Sequence, residues 1–287
     1  MKIFDRNKYK LKPAWVFNQS GNMWKFIFGG KDFIAGETRD LEKRLLYLFS
    51  VSINDGKKLM SDFLFEDGNY WISVEGASSK ILYLNRFEKP ELPYHKNIIA
   101  LDLFSGNKLW EIEEYQYFFS NEEKLFGVKQ KFDKTEIAEI DISNGSILKV
   151  FSETEYPALL ELKRNSDDDL YNEHSDYPVS FTKSTPENHI TNIINSEIYG
   201  AVGETEYLIK GDYLIFNYYK ESGIDMKDIN RKFYTNTFCI FDIQNGKKVY
   251  SDILNRQSGY NVPDNFFCRN EFVYYLREKK DIVALKL

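Results

Sequence analysis

The chain has 287 residues, 43% hydrophobic and 16% aromatic, enough to bury a substantial core in one large all-β domain or two smaller ones. Its net charge of −6, with Lys and Glu interleaved and no basic stripe, argues against a nucleic-acid partner. No apolar run approaches the roughly 18 residues of a membrane span. The opening MKIFDRNKYKLKPAW lacks the apolar core of a signal peptide, and Cys239 and Cys268 sit in apolar runs as buried thiols, so a cytoplasmic location is expected.

In chain order, "YKLKPAWVFN" reads as a lone N-terminal strand. Three four-stranded units follow: Met23 to about Phe65, Tyr70 to Glu114, and Tyr115 to about Glu153. The segment 156–203 is irregular. It holds two strand-like runs, "PALLELK" and "YPVSFTK", separated by the polar "RNSDDDLYNEHSD". A helix is then expected near 185–200, with Thr185 as N-cap, Pro186 at the first helical position and Ile190, Ile193, Ile194 and Ile198 on one face. A further four-stranded unit spans Glu206 to about Leu254, and the C-terminus supplies three strands, "NFFCRN", "EFVYYLREK" and "DIVALKL".

A repeat organises these elements. "LYLFSVSINDGKKLM", "NIIALDLFSGNKLW", "EIAEIDISNGSILK" and "TFCIFDIQNGKKVY" each place an apolar strand, a short polar turn and a second strand around Gly56, Gly106, Gly145 and Gly246. Strand-rich repeats of roughly 40–50 residues point to the blades of a β-propeller. Runs such as "LLYLFSV" and "YLIFNYY" are apolar on both faces, as strands packed between two neighbouring sheets must be. The expected fold is therefore an all-β propeller of five to six four-stranded blades, one domain over 1–287. The N-terminal strand would close the ring by pairing with the C-terminal blade. The segment 156–203 is either a degenerate sixth blade or a hairpin-plus-helix insertion in a five-bladed ring, and the reading leans to the second.

"ALDLFSGNKLW", Ala100 to Trp110, resembles the "ALDxxTGxxLW" signature of quinoprotein-like propellers, and the other three repeats keep the turn but lose the Trp. "GETRDLEKRLLYLFSV" and "PELPYHKNIIALDLFSGNKLWE" also resemble an uncharacterised bacterial family of unknown function on this fold. That resemblance implies a propeller and no established activity. The pyrroloquinoline quinone of the quinoprotein enzymes is not carried over, because the chain has no adjacent cysteine pair and only four tryptophans. No cofactor is expected.

Function on a propeller is expected on the long, varied loops of one face. Those loops include "ETRDLEK", "FEKPELPYHK" and "ESGIDMKDINRKFYT", and they nominate Arg39, Asp40, His95, Asp225, Asp228 and Arg231 as binding residues. Each has a plainer reading: Arg39 and Asp40 as a hairpin ion pair, His95 as a surface imidazole. Asp167, Asp168, Asp169, Glu173, His174 and Asp176 offer oxygens to calcium but lack the glycine of an EF-hand loop, and read as a solvated loop. Three histidines are too few for a structural zinc site, so no metal is expected. No nucleophile, P-loop or dinucleotide motif appears. The inner strands carry acids only at their ends, at Glu122, Glu206, Asp212 and Asp264, which disfavours the paired carboxylates of a glycosidase. Two readings remain: a non-catalytic scaffold that binds a protein or peptide, and an enzyme acting on a small molecule or glycan with carboxylates at the funnel mouth.

Overall fold

The repeated glycines decide where the chain turns back. Gly56, Gly106, Gly145 and Gly246 all take φ between +58° and +79°, a conformation that a Cβ disfavours. At three of these turns an Asp at the start fastens the loop. Asp102 Oδ1 accepts from the N–H of Phe104 and Ser105, Asp141 Oδ1 from that of Ser143, and Asp242 Oδ1 from that of Asn245.

The computed structural model describes residues 10–87, 95–130, 134–182, 184, 186–225, 228–258 and 265–287, with the backbone alone for 224, 225 and 228–231. From the N-terminus the strands are β1 (Pro13–Phe17), β2 (Asn22–Gly29), β3 (Phe33–Asp40), β4 (Leu45–Ser52) and β5 (Lys58–Phe63). Then come β6 (Ile72–Ala77), β7 (Ile81–Phe87), β8 (His95–Asp102) and β9 (Lys108–Ile112). A third set is β10 (Gln116–Ser120), β11 (Leu125–Gln130), β12 (Thr135–Ile140) and β13 (Ile147–Val150). Helix α1 (Tyr156–Asp167) runs into a π-helical turn, Asp168–Asn172. The short strands β14 (Ser175–Asp176) and β15 (Val179–Ser180) precede α2 (Asn188–Glu197). The chain ends with β16 (Val202–Lys210), β17 (Tyr213–Asp225), β18 (Asp228–Asp242), β19 (Lys247–Ser258), β20 (Phe266–Arg269), β21 (Phe272–Arg277) and β22 (Asp281–Lys286).

Among the described residues these strands form five antiparallel sheets, in two compact units. The unit Gln19–His174 holds three consecutive four-stranded meanders, β2-β3-β4-β5, β6-β7-β8-β9 and β10-β11-β12-β13. Their limits match the three units read from the sequence. β3 and β4 each bury six of eight residues, as strands with neighbours on both faces should. One apolar cluster joins the first two sheets through Leu46, Leu48, Val74 and Leu84, and another joins the second and third through Ile81, Tyr83, Trp110 and Ala138. Neighbouring sheets also interlock at the turns. Trp110 of β9 packs on Gly145 of the next sheet and donates its indole N–H to the Ile142 carbonyl at 2.9 Å, while the Phe63 ring covers Gly106. The Trp of the repeat is thus a clamp between sheets.

In this unit the run "PALLELK" is helix α1 and not the expected strand. Ser152 and Glu155 form a capping box before it, and Pro157 stands in its first turn. Leu159, spaced for a helix and not for a strand, packs with Phe119, Phe126 and Ile137. The acidic run that follows is helical too, in place of a loop.

The second unit, Met1–Asn18 with Ser175–Leu287, holds two five-stranded sheets, β15-β16-β17-β18-β19 and β1-β22-β21-β20-β14. As expected, the N-terminal strand pairs with the C-terminal one, with Val16 opposite Val283 and Phe17 opposite Ile282. The short strands β14 and β15, which the sequence did not place in these sheets, extend their opposite edges. Helix α2 lays Ile190 and Ile194 on Leu214, Phe216 and Cys239, so the isoleucine spacing was a true helical signal. It starts later than expected, with Glu187 in the N-cap position, and Thr185 lies outside the described residues. Both thiols are buried and free, as expected. No helix among the described residues is long and apolar enough to cross a membrane.

Candidate functional site

A dense polar cluster lies in the Gln19–His174 unit, between its first two sheets. Lys25 and Glu37 face each other across β2 and β3. Glu37 is completely buried, and its Oε1 accepts from Nε and Nη2 of Arg39 at 3.0 and 2.7 Å. Its Oε2 accepts the Val74 backbone N–H at 2.6 Å, while Arg39 donates to the carbonyls of Tyr70 and Ile72. A buried ion pair survives desolvation only when its remaining polar atoms are bonded, and here the backbone before and within β6 does that. Arg39 and Glu37 therefore fasten one sheet to the next.

Around this pair runs a chain of aromatic rings. The Arg39 guanidinium lies 5.2 Å from the Trp24 ring centre and 4.9 Å from that of Tyr70. Tyr70 meets Trp71 edge-on at 5.4 Å, Trp71 meets Phe87 at 6.3 Å, and Phe87 meets His95 at 5.0 Å. Trp24 is 60% exposed and Trp71 36%, so both indoles of this rim reach solvent.

Inward of the rim stands Glu75, on a bulge where the register of β6 against β7 slips between Val74 and Gly76. Bulges re-aim side chains, and this one brings the carboxylate within 3.8 Å of Lys25 Nζ and 3.2 Å of His95 Nδ1. Its Oε1 is buried and aligned with no hydrogen-bond donor among the described residues. Burial pushes the Glu75 carboxyl above the usual range; Lys25 opposes this and Glu37 adds to it. Burial, helped by Lys25, pushes the His95 imidazole down, with Glu37 opposing. The carboxyl thus resists ionising and the imidazole resists protonation. Such a pair can bind and exchange a proton with a visiting group.

The residues nominated from the sequence are distributed as follows. Arg39 and Asp40 lie at the end of β3, not in a loop, and Arg39 pairs with Glu37 in place of Asp40. Asp40 caps its turn through the N–H groups of Glu42 and Lys43, and Lys43 stands 3.6 Å away. Those contacts lower its pKa. Arg39 and His95 join one cluster through Glu37, Glu75 and Lys25. The loop "FEKPELPYHK" lies largely outside the described residues, as does Asp264. In the other unit, "ESGIDMKDINRKFYT" is no loop: β17 and β18 continue through it as a hairpin, with Asp225 opposite Asp228. The side chains of Asp225, Asp228 and Arg231 are outside the described residues. Of the inner-strand acids, Glu122 accepts from Ser79, Glu206 from the Asn265 amide and Asp212 from Gln244. The acids that the sequence reading missed are Glu37 and Glu75, and the signal for Glu75 was a carboxylate inside the otherwise uncharged "ISVEGA".

Other chemistries find less support. Burial drives the Cys268 thiol up to about 12 and raises that of Cys239, so neither offers a ready thiolate. Asp169, Glu173 and His174 bring potential metal-ligand atoms within 4.8 Å of one another, with both acids exposed.

Residues 29–110 match the family model described as Domain of unknown function (DUF4905). The matched segment contains Arg39, Glu37, Glu75 and His95. It also contains nearly all of the two stretches whose resemblance to an uncharacterised family was noted above. Similar solved structures include the β-propeller domain of the Trilobed protease from Pyrococcus furiosus, at TM-score 0.37 and 12% identity, covering 94% of each chain. A quinohemoprotein alcohol dehydrogenase from Pseudomonas putida matches at TM-score 0.28 and 11% identity, over 99% of this chain and 45% of that one. A eukaryotic initiation factor matches at TM-score 0.32 and 10% identity, over 92% of this chain and 52% of its own length. The chain thus spans about half the length of the last two. No curated protein matches the chain in sequence.

Proposed function

We propose that the chain is a five-bladed β-propeller with β1 as the outer strand of its last blade, and that it is a non-catalytic binding module for a protein or peptide. The observation that carries this reading is the aromatic rim around Arg39. Trp, Tyr and Arg are the residue types that dominate binding hot spots, and here they form one continuous, partly exposed chain on a rigid sheet frame. Trp24 and Trp71 would bury against the partner, while the clamped Arg39 holds the rim in shape and lowers the ordering cost of binding. The rim shares Arg39 and His95 with the loop face nominated from the sequence.

The test is a displayed peptide library panned against the full chain. Enriched peptides are expected to bind the wild type and to lose binding in Trp24→Ala and Trp71→Ala, both exposed enough to leave the melting temperature unchanged. Peptides indifferent to both substitutions, or no enrichment, overturn the reading.

One observation favours a second reading, that of an enzyme acting on a small molecule: the Glu75 carboxyl, raised by burial, stands beside His95. Turnover of chromogenic glycosides or esters that disappears in Glu75→Gln would support it in place of the first.

A further inference from the structure

We propose that the Gln19–His174 unit has a second binding site, a cleft for one neutral, polyhydroxylated ring of monosaccharide size. The cleft measures about 270 Å³ and lies where β2, β6 and β10 end, beneath α1 and the π-helical turn. Trp24 stands near the start of β2 and Gly30 just past its end, so the cleft and the aromatic rim occupy opposite ends of the inner strands.

The class of ligand follows from which lining groups are already bonded. Glu122 is occupied: its carboxylate accepts the Ser79 N–H at 3.0 Å and the Ser79 hydroxyl at 2.5 Å. Lys31 and Asp169 stand 3.7 Å apart across the rim, more than half exposed, and balance each other's charge. An anion would meet two carboxylates against one ammonium, and for a cation Glu122 is already turned to Ser79 and Asp169 to Lys31. What remains on offer is neutral or already balanced: the Asn165 amide, with no side-chain hydrogen bond among the described residues, the Lys31 donors and the Asp169 acceptors. Ala77 and Leu170 add an apolar floor. Donors and acceptors beside apolar side chains suit a ring with hydroxyls on its rim and C–H groups on its face.

A second observation comes from behind the wall. Ser120, which lines the cleft, bonds the Tyr117 hydroxyl at 2.9 Å, and the Tyr117 ring lies 5.8 Å from that of Tyr83. Tyr83 is completely buried, yet its hydroxyl has no hydrogen-bond partner among the described residues. An orphan hydroxyl at such depth is costly. Between the Tyr83 ring and the cleft, the Tyr117 hydroxyl holds the Ser120 hydroxyl in place, so a polar occupant of the cleft meets a group already fixed in orientation.

The experiment is saturation-transfer NMR on the full chain with glucose, galactose and mannose as probes, and alanine and methyl phosphate as controls. At least one sugar is expected to receive saturation while both controls stay silent. The double substitution Lys31→Met, Asn165→Leu, on exposed groups outside the core, is expected to weaken that signal about tenfold, the loss of roughly one charge-assisted hydrogen bond. An unchanged melting temperature and intact peptide binding at the rim would separate a cleft defect from misfolding. Binding of alanine or methyl phosphate in place of the sugars overturns the ligand class. Silence with every probe, or sugar binding that the double substitution leaves intact, overturns the site.

Discussion

At the scale of single residues, Glu75 is the group whose chemistry and position disagree most. A largely buried carboxylate with one oxygen lacking an aligned donor costs stability, and proteins retain such groups mainly where they serve binding or catalysis. The pKa direction gives a signed prediction. With its folded pKa raised, Glu75 destabilises the native state once the unfolded chain begins to ionise near its usual value of about 4.3, and the penalty is complete above the folded pKa. Glu75→Gln is therefore expected to raise the melting temperature at neutral pH by a few degrees, and to make no difference below about pH 4. Melting scans of both proteins across pH 3–8 check this; equal stability at neutral pH would show that the carboxyl carries no burial penalty. The sequence does not single out Glu75, because the bulge that turns it toward His95 is a feature of strand pairing and not of local spacing. Arg39 was legible as a site residue but not its partner. The neighbouring Asp40 looked closer in sequence, yet Glu37 lies on the same face of the strand two residues away, which period two requires.

At the scale of elements, close approach matters as much as conformation. A Cβ on Gly76 would lie 2.0 Å from the Tyr117 hydroxyl, so the glycine in β6 makes room for a ring of the next sheet. Gly76→Ala is expected to cost about 1–3 kcal/mol, read as a lower urea midpoint with an unchanged slope. Tyr117→Phe in the same chain should recover part of that loss, since it removes the atom that clashes; a neutral Gly76→Ala would refute the tight contact. Turn glycines were readable because their role is local, a positive φ between two strands. The role of Gly76 was not, since its crowding partner comes from 41 residues further along the chain. Helix α1 is a different case: "PALLELK" is built from helix formers, Ala, Leu, Glu and Lys, a local signal that the strand reading passed over, and the third sheet offers the surface on which Leu159 and Leu162 pack.

At the scale of the whole molecule, the link between the two chain ends carries the clearest prediction. β1 contributes the outer strand of the last sheet, and Phe17 within it is completely buried. Deleting residues 1–18 exposes the edge of β22 and removes that side chain, so a melting temperature lower by roughly 5 °C or more, with a greater tendency to aggregate, is expected in calorimetry. An unchanged transition would show that β1 adds nothing to its sheet. This pairing was legible because three C-terminal strands left one place to fill. The sequence by itself determined the limits of the first three sheets, the left-handed turns and the isoleucine face of α2, which rest on residues near one another in the chain. Only the tertiary structure decided that Arg39 is a clamp and that Glu75 faces His95. It alone showed that Trp110 binds the next sheet's turn and that three strand ends leave a cleft beneath α1. Those features are set by residues brought together from different sheets, and the packing that selects them has no counterpart in local spacing.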